Sequence, residues 1–393
     1  MTTKILSRDA SARRQREAPD SASKQPASPQ LGRAITIAVV AAAIVSLILL
    51  AFSWPSVTSD PEDLPVAAVG DQEQIDQITD HAPEGMLDVH RVDSRQEAVQ
   101  LIREREVYGA FVVDKDDPEI LTAEAASTAV AQQLSTIGST MQQKIDDQVI
   151  SGLQEGTEKM QKQMEKAVTA AAGRAPSQAD GAGEDAGADA SAMEVPQVKI
   201  TEVVPLSDDD PSGAGLAIAG LPLTIGGIVG GVLTSMGIRS RRMRAVGTLV
   251  YGAVGGVALG LIMQTWFGIL QGDFGLNALA IGLSIAATAG LINGFVSLIG
   301  PAGIGIGAVL TMFIGNPIAS LNQPKEFLVG AWGDIGQFFV PGAAGTLLRD
   351  LSYFPDAAVG LQWWVLIAWF VVGIALILIG HLIAHRRTTT SAH

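Results

Sequence analysis

Long apolar stretches alternate with hydrophilic ones along this chain. Six of them hold about 20 apolar residues each, which is enough for a helix to cross roughly 30 Å of hydrocarbon. We predict one transmembrane span followed, after a long hydrophilic insert, by five more: 34–54, 214–238, 245–270, 278–300, 302–320 and 361–380. The pattern therefore indicates a polytopic α-helical membrane protein with six transmembrane helices.

The hydrophilic insert, residues 55–213, carries fold signals of its own. Short apolar runs at 64–70, 86–92 and 108–113 have the length and the breakers of strands, and helical patterns separate them. Ser94 with Glu97 three residues later is the pattern of a capping box that opens a helix. We predict a small α/β domain of the β-α-β-α-β kind, inserted after the first span.

A long amphipathic helix is predicted over residues 128–172. Its apolar residues recur at steps of three or four, which places them on one helical face. Such a helix would reach about 65 Å, far beyond what the small α/β domain can cover. It is expected to pack on a second copy, to pack on a partner, or to fold back near Gly152 and Gly156. Residues 173–195, rich in Ala, Gly and Asp, are predicted to be a flexible linker, and 198–204 a further strand.

The stretch 321–360 lies within the five-helix domain 214–380 but differs from its spans. It mixes aromatic residues with Pro324, Pro341 and Gly342 and holds few charges. It is too apolar for a solvated loop and too interrupted for a span. We predict an interfacial or re-entrant segment packed against the bundle, on the same side of the membrane as the α/β domain.

The distribution of charge sets the predicted topology. Residues 1–33, 239–244 and 381–393 together hold half of the 26 lysine and arginine residues but only three of the 40 acidic ones. The positive-inside rule places all three stretches in the cytoplasm and the α/β domain outside. Residues 1–33 are further expected to form a disordered basic tail, and 381–393 a second cytoplasmic tail.

Composition narrows the possible chemistry. The net charge of −14 averages a basic inside with an acidic outside, so it does not indicate a nucleic-acid partner. No phosphate-binding loop, zinc-protease motif or nucleophile elbow occurs, and the five histidines lack metal-ligand spacing. We predict no catalytic, cofactor or metal site. Because the six apolar stretches hold no Asp, Glu, Lys or Arg, an ion-coupled pump is disfavoured as well.

Small residues at four-residue spacing run through the last five spans, and such ridges allow helices to approach closely. They are expected to pack one bundle tightly, with a dimer face or a sliding surface of a transporter as the alternative. Asn293 and Asn316 are the most polar groups within the predicted spans, and they are expected to link helices rather than to bind substrate. The candidate packing glycines are Gly226, Gly230, Gly252, Gly256, Gly260, Gly290, Gly294, Gly303 and Gly307.

Four arginines crowd the short predicted loop between the second and third spans. Their default role is to set topology and to contact lipid phosphates. The sharper alternative is a docking site for a cytoplasmic subunit. These residues are Arg239, Arg241, Arg242 and Arg244.

Three short sequences resemble those of a known family. Leu221-Pro222-Leu223 opens the second span, Gly315-Asn316-Pro317 ends the fifth, and Phe339-Val340-Pro341-Gly342-Ala343 with Arg349 lies in the last outside segment. With the arrangement of one span, a large outside domain and five spans, the chain resembles the YhgE/Pip (phage infection protein) family, within the permease fold of ABC exporters of the second type.

The resemblance implies a homodimeric component of the bacterial plasma membrane that contacts lipids. One hypothesis is a permease-like subunit that exports an amphiphilic or lipidic molecule, with a separate ATP-binding subunit docking at the four arginines. The alternative is an envelope scaffold, secretion accessory or surface receptor that transports nothing. A neighbouring ATPase gene would favour the first, and a neighbouring secretion or cell-wall gene the second.

Overall fold

The computed structural model describes most of the chain. The described residues are 29–59, 61–79, 85–113, 117–172 and 196–390. The predicted linker 173–195 and most of the predicted basic tail therefore lie outside the described residues. Within that tail, residues 29–33 do not follow the prediction of disorder, because helix α1 (Pro29–Val57) already begins there.

The chain divides into two compact units, Met1–Leu50 and Ala51–His393. The described part of the first unit is a single apolar helix, most of α1, which carries the first predicted span. The second unit contains a sheet and a helical bundle.

The sheet has five strands in the order β2-β1-β3-β4-β5. Strand β1 (Leu64–Val69) pairs in parallel with β2 (Leu87–Arg91) and with β3 (Gly109–Val112). Helices α2 (Gln72–Thr79) and α3 (Arg95–Arg103) make the crossovers that parallel pairing requires. These five elements follow the β-α-β-α-β order expected from the sequence, whereas the side of the membrane on which they lie stays a prediction.

The Ser94 cap at the start of α3 forms. The Glu97 amide donates to Ser94 Oγ at 3.2 Å, which satisfies one orphan amide at the helix start. The Glu97 carboxylate accepts from the amide of Asp93, one residue before the cap, at 3.0 Å, so the bond differs from the one to the Ser94 amide that a capping box makes.

Two further strands extend the sheet. Strand β4 (Glu119–Thr122) runs antiparallel to β3, and β5 (Lys199–Glu202) runs parallel to β4. Strand β5 lies within the predicted strand 198–204, but β4 was not predicted. Strand β4 has only four residues, all of them buried, so its sequence carries no alternating pattern that would predict a strand.

Glu119 joins three elements at this edge of the sheet. It accepts two hydrogen bonds from Arg95 of α3, at 2.6 and 2.9 Å, and a third from Thr201 of β5 at 2.5 Å. The hydrogen bonds from Arg95 lower the pKa of Glu119 below its ordinary 4.5, against the opposing effect of burial.

Helix α4 (Thr128–Ala172) is continuous over 45 residues. Its first turns pack on the sheet through Val130 and Leu134, both buried. Every described side chain from 151 to 169 is exposed, and the helix passes through Gly152 and Gly156 without a break. The predicted possibility of a fold-back there is wrong, because two isolated glycines lower helix stability by only about 1 kcal/mol each.

Four described helices are long and apolar enough to cross a membrane. They span Ala214–Gly237, Arg241–Trp266, Phe274–Ile299 and Gly360–Ala384. We number them α5 (Ala214–Gly237), α6 (Arg241–Gly260, extended by a π-helical stretch Leu261–Trp266), α7 (Phe274–Ile299) and α11 (Gly360–Thr390). The third predicted span is thus shifted towards the N-terminus by four residues, and the last helix continues well into the predicted cytoplasmic tail.

The fifth predicted span, 302–320, is shorter than expected. Its helix covers Ala302–Gly315, made of α8 (Ala302–Ala308) and a π-helical stretch Val309–Gly315. Fourteen residues rise only about 21 Å, less than the hydrocarbon thickness. The prediction of six full spans is therefore not confirmed.

Helix α7 lies at the centre of the bundle, and small residues allow its neighbours to approach. A Cβ at Gly252 of α6 would lie 2.8 Å from the Gly282 oxygen, and one at Gly373 of α11 would lie 2.5 Å from the carbonyl carbon of Gly290. Close approaches also occur at Gly230, Gly256, Gly294, Gly303 and Gly307. Gly226 differs, since a Cβ there would meet only the Tyr251 hydroxyl at 3.8 Å, and Gly260 is crowded only moderately.

The two asparagines expected to link helices lie in different settings. Asn293 of α7 is fully buried, and its amide donates to Thr234 of α5 at 2.7 Å and to Thr248 of α6 at 3.2 Å. It therefore links three helices. The Asn316 side-chain oxygen is buried without a hydrogen-bond partner among the described residues.

We expect Gly256→Ala to destabilise the protein by about 1–3 kcal/mol from overpacking, offset in part by a gain in helix propensity of about 1 kcal/mol. A Cβ there would lie 2.3 Å from the Ala278 oxygen, so the α6 and α7 backbones would have to separate. Thermal unfolding in detergent measures the effect. The matched control is Gly305→Ala, where a Cβ meets nothing within 4 Å. Equal melting temperatures for the two variants would contradict close packing of α6 on α7.

We expect Glu119→Gln to lower the melting temperature at pH 7. We also expect the melting temperature of the variant to fall less than that of the wild type between pH 7 and pH 3. A carboxyl group whose pKa is lowered on folding stabilises the protein above its unfolded pKa, and this contribution is lost as the pH falls through the folded pKa. Thermal unfolding at pH 7, 5 and 3 tests this, with Glu165→Gln on the exposed part of α4 as the control. Parallel profiles for the wild type and Glu119→Gln would refute it.

Candidate functional site at the junction of the sheet and the helices

Residues 321–360, here called the junction segment, join the sheet to the bundle. The segment was predicted to be irregular, yet it forms a 3₁₀ turn (Lys325–Phe327), α9 (Trp332–Gly336) and α10 (Val340–Tyr353). Phe327 and Phe354 are buried in the core of the sheet, while Leu347 and Leu348 of α10 are buried in the core of the bundle. One segment thus belongs to both hydrophobic cores.

A buried ion pair fixes this junction. Arg105, just after α3, donates to the Asp350 carboxylate of α10, 245 residues away. Their side chains are only 16% and 5% exposed. The Arg105 guanidinium also lies 5.7 Å from the centre of the Phe354 ring, a cation–π contact.

The protonation of the pair follows from its surroundings. Burial is the largest influence and acts to lower the pKa of Arg105. The charge and hydrogen bond of Asp350, together with the charges of Tyr108 and Glu326, outweigh it and the pKa is raised. Burial also raises the pKa of Asp350, and the Arg105 charge offsets part of that effect. Removing either partner would leave the other charge buried and unpaired, which costs several kcal/mol.

Arg105 has a left-handed backbone, with φ of 59°. Glycine is the usual residue at such a helix end, because any Cβ is strained there. The ion pair explains why an arginine occupies it.

A second polar contact crosses the junction beside the ion pair. The buried Tyr108 hydroxyl donates to the Glu326 carboxylate at 2.8 Å. Burial, and then the Glu326 charge, raise the pKa of Tyr108 well above its usual value, so the hydroxyl stays protonated and remains a donor.

Arg349 lies one residue before Asp350 but bonds differently. Its guanidinium donates to the backbone oxygens of Ala126 at 3.2 Å and Leu321 at 3.1 Å. Burial, and then repulsion from Arg105, lower the pKa of Arg349 to about 10. Arg349 is one of the residues on which the family resemblance depends, whereas Arg105, Tyr108, Glu326 and Asp350 were not predicted as site residues.

Two cavities flank these side chains. The larger, about 820 Å³, has Arg105, Tyr108 and Glu326 in its wall, together with further carboxylates. The smaller, about 330 Å³, has Arg349 in its wall and lies between the starts of α4 and α5. Both volumes are of the size of small-molecule sites.

The remaining residues of the resemblance have packing positions near this junction. Pro341 lies in the first turn of α10, where its missing amide costs nothing. A Cβ at Gly342 would lie 2.2 Å from the Gly336 oxygen, so only glycine fits. Asn316 and Pro317 follow directly on the π-helical stretch that ends at Gly315.

The arginine cluster lies at the other end of the bundle. Arg241, Arg242 and Arg244 stand in the first turn of α6 rather than in a loop, and Arg239 precedes it. Arg244 donates to the Ile238 oxygen at 2.8 Å, and Arg242 to the ring of His381 on α11 at 3.0 Å. Positive charge at a helix N-terminus opposes the helix dipole, so helix stability does not account for the cluster.

No group of three metal-ligating side chains occurs among the described residues. His90 bonds to Asp88 at 3.2 Å and lies far in sequence from His381. His81 and His393 lie outside the described residues.

Comparison with known proteins finds a family model that matches part of the chain. Residues 33–182 match the model of the ABC-2 family transporter proteins. This stretch covers most of α1, strands β1 to β4 and α4, and it is less than half of the 393 residues. No curated protein and no solved structure matches the chain. The match, with the four long apolar helices, supports a multi-pass membrane component of the ABC-2 transporter type.

We expect Arg105→Met and Asp350→Leu each to cost about 3–5 kcal/mol, and the double variant to cost much less than their sum. Each single change leaves one buried charge unpaired, whereas the double change removes both. Thermal unfolding of the four proteins in detergent completes the cycle. The same cycle on the exposed pair Glu155 and Lys159 should give a coupling below about 1 kcal/mol. Additive losses at Arg105 and Asp350 would contradict the ion pair.

Proposed function

We propose that this chain is the permease-like subunit of an ABC-type exporter that moves an amphiphilic or lipidic molecule. The observation that carries the proposal is the match of residues 33–182 to the ABC-2 family transporter proteins. A permease of this kind does not hydrolyse ATP itself, so a separate ATP-binding chain is its expected partner.

The arginine cluster is the proposed docking site for that chain. Arg239 and Arg242 are exposed, and the cluster lies at the end of the bundle remote from the sheet. By the positive-inside rule this end faces the cytoplasm, where ATP is available. We further propose that both termini face the cytoplasm, that the sheet lies outside, and that two copies form a homodimer in a bacterial plasma membrane.

The junction segment mechanically connects the helical bundle to the sheet. Helix α10 packs on α5, α7 and α11, and its Asp350 holds the sheet through Arg105. Since buried ion pairs break at high cost, a shift of α10 carries the sheet with it. Rearrangement of the bundle after ATP binding would therefore move the sheet domain.

A scaffold or receptor is the second candidate, and α4 favours it. The far half of this helix exposes Ile150, Leu153, Met160, Met164 and Val168, each more than half exposed. An apolar stripe of this kind on a helix is typical of a surface that binds another protein.

We expect replacement of Arg239, Arg241, Arg242 and Arg244 by Gln to abolish both the co-purification of an ATP-binding chain and export. Loss of four charges removes the electrostatic attraction to an acidic docking surface. The measurement is affinity purification of the tagged full chain in mild detergent, identification of bound chains, and an ATPase assay on the complex.

The same four positions changed to Lys form the matched control, because they retain the charge and hence the topology. A reporter on the C-terminus checks that the Gln variant keeps its orientation. Retention of the ATP-binding chain by a correctly oriented Gln variant would refute the docking site. Recovery of envelope proteins alone with the wild type would favour the scaffold.

A further inference from the structure

The wall of the smaller cavity at the junction has a polar part and an apolar part, called here its polar end and its apolar end. Its polar wall includes Arg349, Asn322 and Gln323, and its apolar wall includes Leu216, Ala217 and Ile218 of α5. A cavity with this division fits an amphiphile better than a wholly polar or wholly apolar ligand.

At the polar end, Arg349 has unused donor capacity. A guanidinium carries five N–H groups, and the described residues give two hydrogen bonds for Arg349, both to backbone oxygens. No carboxylate of the described chain lies within ion-pair distance of it. Arg349 is partly buried, and a partly desolvated cation without a paired anion is unfavourable, so an anionic oxygen of a ligand would stabilise it. Arginine matches phosphate oxygens through two parallel hydrogen bonds.

Two acidic residues, Asp210 and Glu124, also line this cavity, and no ion pair joins either of them to Arg349. Asp210 is buried, and its carboxylate accepts from the Gly215 amide at 2.9 Å, which caps α5. Glu124 is exposed. The Gln323 side-chain oxygen accepts from Ser59 at 2.9 Å, which leaves its amide group available to donate into the cavity.

The apolar end opens onto the surface of a membrane-spanning helix. Ile218 is 68% exposed and lies in the second turn of α5, close to the end of that span. The first turns of a span lie near the interface, at the depth of lipid phosphate groups. A lipid at this position would place its phosphate beside Arg349 and its chains along α5.

We propose that the cavity binds the phosphate-bearing headgroup of a membrane phospholipid, held at its phosphate by Arg349. That this lipid is also the exported substrate rests on the proposed function. Binding itself requires no ATP-binding chain, so it is measured on the isolated protein. Absence of any ATP-binding chain from the wild-type purification described above would overturn the exporter and leave lipid binding intact.

The test is thermal unfolding of the purified full chain in detergent with added lipid. Dioleoylphosphatidylglycerol and dioleoylphosphatidylethanolamine should each raise the melting temperature in a saturable way. Dioleoylglycerol, which lacks the phosphate, and inorganic phosphate, which lacks the chains, should not. Arg349→Gln should weaken the apparent phospholipid affinity about 10-fold or more, the usual consequence of losing a charge-assisted hydrogen-bonded pair.

Arg349 also donates to two backbone oxygens, so Arg349→Gln could weaken lipid binding by disturbing the fold. A second variant therefore tests the cavity without changing Arg349. Ala217→Trp leaves Arg349 unchanged and fills the apolar end, so it should weaken phospholipid binding too. Ala258→Trp, at an exposed position of α6 outside the cavity, is the matched control and should bind as the wild type does. Undiminished phospholipid binding by Ala217→Trp would overturn the proposal. So would an equal shift with dioleoylglycerol, or one with inorganic phosphate alone.

Discussion

The buried ion pair between Arg105 and Asp350 holds together parts of the chain that local structure would leave independent. A sheet domain and a helical bundle each bury their own apolar core, and nothing in either requires the other. The junction segment gives Phe327 and Phe354 to one core and Leu347 to the other, and the ion pair fixes its orientation between them. Separating the sheet from α10 would leave buried charges unpaired, which costs several kcal/mol. The ion pair therefore holds the two together.

The bundle beneath α10 is rigid for a different reason. Helix α7 meets its neighbours at several glycines, where backbones or the side chains of Ile285 and Ile292 lie against a backbone without a Cβ. Such interfaces have little room to deform gradually, and helices packed in this way shift as whole bodies. A shift of α7 or α11 therefore reaches α10 directly, and through Asp350 it reaches the sheet.

Periodicity predicted the elements whose sequence pattern repeats without interruption. The strands around Val66 and Val89 and the continuous helix through Gly152 each repeat one pattern over many residues. The helical nature of 340–353 was missed because Pro341 and Gly342 resemble breakers, although proline at a first turn and glycine at a close contact are compatible with a helix. The pairing of Arg105 with Asp350 has no local signal, because it joins residues 245 positions apart.

Helix α5 connects the two ends at which function is proposed. Its first turns form the apolar wall of the Arg349 cavity, and its last turn leads to Arg239 about 33 Å away. Pro222 lies inside it and removes one backbone hydrogen bond, which makes that position the natural place for the helix to bend. A displacement at the arginine cluster would reach the cavity along a single helix. Bending at Pro222 would reduce the part of that displacement that reaches Ala217. In the exporter we propose, α5 would thus couple events at the arginine cluster to the lipid cavity.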